Sequence, residues 1–112
     1  MPIDISREDL YRRMSDGDRP TLVEALGVGY YADAHLPGAV NIPPGHVDSL
    51  AARLLPDRHA QIVVYCTNTG ASSDAVAARL EELGYAAVAV YRDGKEDWVE
   101  HGLPLERLDS DE

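Results

Sequence analysis

At 112 residues the chain has the size of one folded domain, residues 1–112, long enough to bury a core without a disulfide or metal staple. Hydrophobic residues make up 45% and charged residues 27%, which argues against global disorder. No apolar run approaches the ~20 residues of a membrane span and no basic-then-apolar leader opens the chain, so no membrane partner is expected. A formal net charge of -10 repels phosphate backbones, so no nucleic-acid partner is expected either. A single cysteine builds neither an internal disulfide nor a thiolate zinc cage, and points to a reducing cytoplasm.

In chain order, residues 1–5 read as a loose end. Ser6 followed by Asp9 predicts a capped helix running to about Met14. Asp16–Pro20 is turn chemistry, and Thr21–Ala25 a short strand. Gly27–Ala34 has little periodicity and reads as a loop or short helix. His35–Gly38 is a turn, and Ala39–Ile42 is a brief extended segment. Val47, Leu50, Ala51 and Leu54 share one face of a helix over 47–55 that Pro56 stops. Gln61–Tyr65 is β-branched and almost continuously apolar, as befits a strand buried on both faces of a parallel sheet. A helix over 72–83 follows, with Val76, Leu80 and Leu83 inward and Gly84 as its left-handed stop. Then come an apolar strand over 86–91 and a last helix over 95–101. The acidic tail 108–112 reads as frayed. Strands alternating with helices predict an α/β fold with helices on both faces of the sheet.

Ligands of open parallel sheets sit beyond the carboxyl ends of the strands. Cys66 falls there, directly after the strongest strand and before a helix. A buried cysteine in such a place can simply cap the strand. Here, however, the loop Cys66-Thr67-Asn68-Thr69-Gly70-Ala71 is small and polar, so successive backbone N–H groups can converge on the sulfur, and the following helix dipole adds positive potential. Both favour thiolate over thiol and would cradle a persulfide or an oxyanion. Ser72, Ser73 and Asp74 are candidate caps for that helix, Asp74 adding a nearby negative charge.

These pieces, with three others, resemble the rhodanese-like family from about Ser6 to Leu105. His35-Leu36-Pro37-Gly38-Ala39-Val40-Asn41-Ile42-Pro43 is similar to the family's H-[IL]-P-G-A-x-N-I-P signature. Val63-Val64-Tyr65-Cys66 with its six-residue loop, Leu80-Glu81-Glu82-Leu83-Gly84-Tyr85, and Gly94-Lys95-Glu96-Asp97-Trp98 with Gly102-Leu103-Pro104-Leu105 follow in the family's order. The resemblance implies a five-stranded parallel sheet flanked by helices. It also implies a sulfurtransferase in which Cys66 takes up sulfane sulfur as a persulfide and passes it to a thiophilic acceptor. Cys66 would be the nucleophile, with Thr67, Asn68, Thr69, Gly70, Ala71 and Ser72 binding the transferred group. Sulfur itself is the group carried, so no cofactor and no metal are expected. The partners implied are a small donor such as thiosulfate or a persulfide, a thiol or cyanide-like acceptor, and a protein as donor or acceptor.

The chain departs from the family in three places, one of them the glutamate that commonly follows a few residues after the second strand, where Gly29 and Tyr30 stand here. Where the family has an acid, a spacer and an arginine at the end of the second strand, this chain reads Glu24-Ala25-Leu26, so the region should be rearranged. The loop after Cys66 carries no basic residue, so dianionic thiosulfate should bind weakly. The position six after Cys66 is Ser72, not the arginine with which phosphatases on this fold clamp phosphoryl oxygens, which argues against that activity. His35 reads as a structural residue of its turn. His46, His59 and His101 fit no metal spacing. Trp98 reads as a core anchor, and Tyr30 and Tyr31 as either rim or packing of the site. The leading expectation is an enzyme, and the alternative is a catalytically weak binding or regulatory module for an anion or a protein partner.

Overall fold

A computed structural model describes residues 2–68 and 70–108. Five strands and five helices alternate: β1 (Ile3–Asp4), α1 (Arg7–Ser15), β2 (Thr21–Glu24), α2 (Val28–Asp33), β3 (Val40–Asn41), α3 (Val47–Leu54), β4 (Gln61–Tyr65), α4 (Ala71–Glu82), β5 (Ala87–Tyr91) and α5 (Gly94–Glu100). The strands form one sheet in the order β1-β5-β4-β2-β3, with every neighbouring pair parallel. This is the α/β architecture that the alternating pattern predicts, with the five-stranded parallel sheet that the family resemblance implies.

Strand parity sorts the core. Side chains of a strand alternate between the two faces. Val23, Ile62, Val64, Val88 and Val90 pack on one face with Val47 and Ala51 of α3 and Val76, Ala77 and Leu80 of α4. Leu22, Val63, Tyr65 and Tyr91 pack on the other with Leu10 of α1 and Trp98 of α5. Each fully buried Val or Leu in these layers contributes ~1.5–3 kcal/mol. Trp98 is fully buried and its Nε1 donates to the Pro104 carbonyl at 2.7 Å, so it anchors the core as its helical spacing suggests.

Some local expectations need correction. Ile3 and Asp4, within the end read as loose, form the edge strand β1 against Ala89 and Val90, and Ile5 N donates to Val90 O at 3.0 Å. Burial of β5 between β1 and β4 supplies the pairing that composition does not reveal. At the other end Leu108 N reaches Ala32 O at 3.0 Å; residues 109–112 lie outside the described residues. Ser6 caps α1 as expected, its Oγ accepting from Asp9 N at 3.1 Å. Gly27–Ala34 contains the short helix α2.

No helix among the described residues is long and apolar enough to cross a membrane. The carboxyl ends of β2, β4 and β5 come level, because Glu24 lies opposite Tyr65 and Tyr65 opposite Tyr91. These three residues form one row on the sheet face that α5 covers.

Candidate active site

Cys66 follows Tyr65 directly and is buried, with 4% of its surface exposed. Its Sγ lies 3.6 Å from Ser73 Oγ on the first turn of α4. The Ser73 hydroxyl donates to the Gly70 carbonyl at 3.0 Å, which leaves its lone pairs facing the thiol. A loop of the length read from the sequence thus turns back and sets the sulfur against the start of α4.

The start of α4 is made differently from the expectation. Gly70, at φ +83°, is its N-cap, and no side chain caps it. Asp74 N reaches the Gly70 carbonyl at 2.7 Å. Ser72, Ser73 and Asp74 lie inside the helix rather than capping it. Ser73 instead turns its hydroxyl towards Gly70 and the sulfur, because a left-handed glycine brings the chain into α4 directly beneath it. Asn68 Nδ2 donates to Glu96 Oε1 at 3.2 Å, and Thr67 is half-buried. Thr69 lies outside the described residues. Ala71 and Ser72 open α4 next to Gly70.

The loop is clamped from below by α5. Lys95 N donates to the Cys66 carbonyl at 2.8 Å and Glu96 N to the Thr67 carbonyl at 2.9 Å. Gly94 makes this contact possible: it sits at φ +77°, and a Cβ there would lie 2.5 Å from Thr67 O and 2.7 Å from Cys66 O. The loop's flank is held by Arg92, at the end of β5. Its guanidinium takes Asp74 in two bonds, 2.8 and 3.0 Å, and Asp4 at 3.0 Å. It also packs so closely that a Cβ on Gly70 would lie 2.6 Å from Nη1. The hydrogen bond from Arg92 holds the Asp74 carboxyl below the usual carboxylate range. The negative charge that Asp74 brings near the sulfur is therefore paired. Arg92 is a cation beside the loop that inspection of the loop sequence alone misses.

The end of β2 is built around the ammonium of Lys95. Glu24 is fully buried, in the row with Tyr65. Its Oε1 accepts from the Tyr65 hydroxyl at 2.8 Å and its Oε2 from Lys95 Nζ at 3.0 Å. The Tyr65 hydroxyl in turn accepts from Leu36 N at 3.0 Å. Burial, followed by the neighbouring Glu24 charge, pushes the Tyr65 hydroxyl far up, so it remains a neutral donor. Asn41 Nδ2 ties the same strand end through the carbonyls of Glu24 and Leu26, at 3.1 and 2.8 Å. The buried Glu24 carboxylate thus meets a neutral donor from β4 and a positive charge from α5.

His35 is buried; its Nδ1 donates to the Tyr31 carbonyl at 2.7 Å and its ring stacks on Tyr31 at 3.9 Å. Its backbone pairs with Glu106 in both directions at 2.8 Å. These bonds hold the turn, as its place in the motif implies. The two tyrosines part ways. Tyr31 packs inward, its hydroxyl donating to Ala39 O at 2.6 Å, whereas Tyr30 is 64% exposed, as is Val28 two residues before it at 70%. Among the described residues no group of three or more His, Cys, Asp or Glu side chains is placed to hold a metal ion.

A buried cysteine at the carboxyl end of the central strand, wrapped by a short loop that ends in a left-handed glycine and a helix, is the arrangement of a rhodanese-like domain. The family model for the rhodanese-like domain matches residues 6–101, and the chain belongs to that family. A sulfurtransferase of Allochromatium vinosum is 30% identical over 102 residues, covering 91% of this chain and 92% of the relative. An HTH-type transcriptional regulator of Mycobacterium tuberculosis is 33% identical over 102 residues, but this chain spans only 44% of it. Among solved structures, the rhodanese-like domain of an Anabaena protein superposes with a TM-score of 0.83 at 24% identity, over 96% of this chain and 80% of that one; this likeness concerns the fold alone.

Proposed function

We propose that the protein is a sulfurtransferase that carries sulfane sulfur on Cys66. The observation that supports this best is the sulfur itself: the only cysteine of the chain stands at the carboxyl end of β4, 3.6 Å from a hydroxyl, in a loop braced on two sides. The relationship to a sulfurtransferase over nearly the full length of both chains points the same way. In the first half-reaction the Cys66 thiolate attacks the outer sulfur of thiosulfate or of a small persulfide. A new S–S bond forms on Cys66, the donor's S–S bond breaks, and sulfite or a thiolate leaves with the electron pair. In the second, cyanide or a thiolate acceptor attacks the outer sulfur and the Cys66 thiolate departs. The backbone of Thr67, Asn68, Gly70, Ala71 and Ser72 cradles the negative charge in both steps. No cofactor takes part, and the site of action is the cytoplasm, where thiol acceptors are kept reduced.

Intact mass spectrometry after exposure to thiosulfate, and separately to a small persulfide, tests the reading. Wild type should gain one sulfur that cyanide removes, and Cys66→Ser should gain none. The persulfide should load faster than thiosulfate, because the loop itself bears no cation. Absence of an adduct from both donors would overturn the proposal.

One observation favours a second reading. With 4% exposure, Cys66 is nearly closed to solvent. A binding or regulatory module that holds an anion or a protein partner would need no more access than this. In that case Cys66→Ser would bind the partner as well as wild type does.

A further inference from the structure

Lys95 is the only lysine of the chain, and it is the second residue of α5. Its side chain is 12% exposed and its ammonium makes three hydrogen bonds: Glu24 Oε2 at 3.0 Å, Tyr30 O at 3.1 Å and Ala34 O at 2.6 Å. An ammonium has three N–H bonds, so each already has its acceptor and none remains for an incoming anion. The same residue's backbone N–H holds the Cys66 carbonyl at 2.8 Å. One residue therefore grips the cysteine loop with its main chain. With its side chain it grips the buried acid at the end of β2 and two carbonyls of the α2 segment.

The family pattern that the sequence resembles places an arginine two residues after this acid, where this chain has Leu26. We infer that Lys95 is a positioning residue that sets the Cys66 loop against the β2–α2 segment. The inference rests on the sulfurtransferase reading for its catalytic consequence, but not for its structural one. A charge placed on β2 would move with β2 alone. A charge on α5 shares a residue with the hydrogen bond to Cys66 O, so loss of the ammonium frees the loop and the β2–α2 segment from each other. The buried pair then acts as a register device rather than as a net source of stability.

The test compares wild type with Lys95→Met, Lys95→Arg and the double variant Glu24→Gln/Lys95→Met, each at a temperature where circular dichroism shows the native spectrum. Two rates are read: alkylation of Cys66 by iodoacetamide, and single-turnover sulfur loading from a small persulfide across donor concentration. In Lys95→Met the loosened loop should admit iodoacetamide severalfold faster. The maximal loading rate should fall about tenfold, with the half-saturating donor concentration within about threefold of wild type. Lys95→Arg should restore both rates to within about threefold. The double variant strands no charge and stands in for Lys95→Met if that protein does not fold; its loading should be equally slow.

Wild-type rates in Lys95→Met or in the double variant would overturn the inference. So would a defect confined to half-saturation, which would make Lys95 a donor-binding group, or a Lys95→Arg protein as slow as Lys95→Met. If wild type accepts no sulfur from any donor, the sulfurtransferase reading fails. The alkylation rates still judge Lys95 on their own in that case: faster access in Lys95→Met, reversed in Lys95→Arg, upholds the positioning role, and unchanged access overturns it.

Discussion

Lys95 Nζ and Glu24 Oε2 meet at 3.0 Å although 71 residues separate them in sequence, and Glu24 is fully buried. The pair closes a chain of bonds from Leu36 N through the Tyr65 hydroxyl and Glu24 to α5. Removing one member leaves the other charge stranded away from water. Breaking a buried pair in this way costs about 3–5 kcal/mol, whereas removing both charges costs less. Lys95→Met and Glu24→Gln should each lower the urea midpoint. Their double variant should be more stable than the sum of the two losses predicts, and equilibrium unfolding of the four proteins measures this.

Ser73 should matter to the sulfur more than to the fold. Its hydroxyl is the side-chain group in hydrogen-bond contact with Cys66 Sγ, at 3.6 Å, and it also ties Gly70. Rotation of the hydroxyl would turn it from acceptor to donor as the thiol becomes a thiolate. Ser73→Ala should slow sulfur loading by about fivefold, the equivalent of one ordinary hydrogen bond of ~1 kcal/mol. Single-turnover mass spectrometry against Ser72→Ala, one residue away, makes the comparison, and equal rates in the two variants would remove the role of Ser73.

Gly94 and Gly102 provide an internally controlled pair. Both have positive φ, +77° and +67°, yet a Cβ at Gly102 meets nothing within 4 Å while one at Gly94 would press into the Thr67 and Cys66 carbonyls. Gly102→Ala should therefore cost only the left-handed strain of about 1–2 kcal/mol. Gly94→Ala adds a backbone clash and should cost roughly 2–5 kcal/mol. It should also slow sulfur loading, because the carbonyl that must shift belongs to Cys66. Thermal melts and the loading assay on both variants check this.

Asp97 predicts an acid dependence. The Tyr91 hydroxyl donates to its carboxylate at 2.6 Å and Arg7 at 3.2 Å, and these bonds, Tyr91's foremost, hold its pKa below the ordinary value. A carboxyl whose folded pKa is depressed contributes stability above its unfolded pKa, about 3.9 for Asp, and loses it as pH falls through the folded value. Asp97→Asn should be less stable than wild type at pH 7 by roughly 1–3 kcal/mol. The gap should narrow as pH falls below the ordinary Asp value, as urea titrations at successive pH values would show.

Much of this molecule follows from local pattern. The run Gln61–Tyr65, the helical spacing around Val76 and Leu80, and the left-handed glycine at 84 (φ +97°) are legible because strand and helix periods are set by the residues themselves. The position of Cys66 between a buried strand and a helix is legible for the same reason, and the motifs around it carry the family. Other features need the sheet. That Ile3 and Asp4 form a strand depends on an edge of β5 more than 80 residues away, and two residues have no period to read. That Arg92 steadies Gly70 and Asp74, and that Lys95 answers Glu24, depends on parallel register. Glu24, Tyr65 and Tyr91 come level only when three crossovers return the chain to the same end of the sheet. The sequence shows an acid at position 24 and a leucine at position 26. It cannot show which cation meets the buried Glu24, because a lysine's reach is measured in ångströms across the fold and not in residues along the chain.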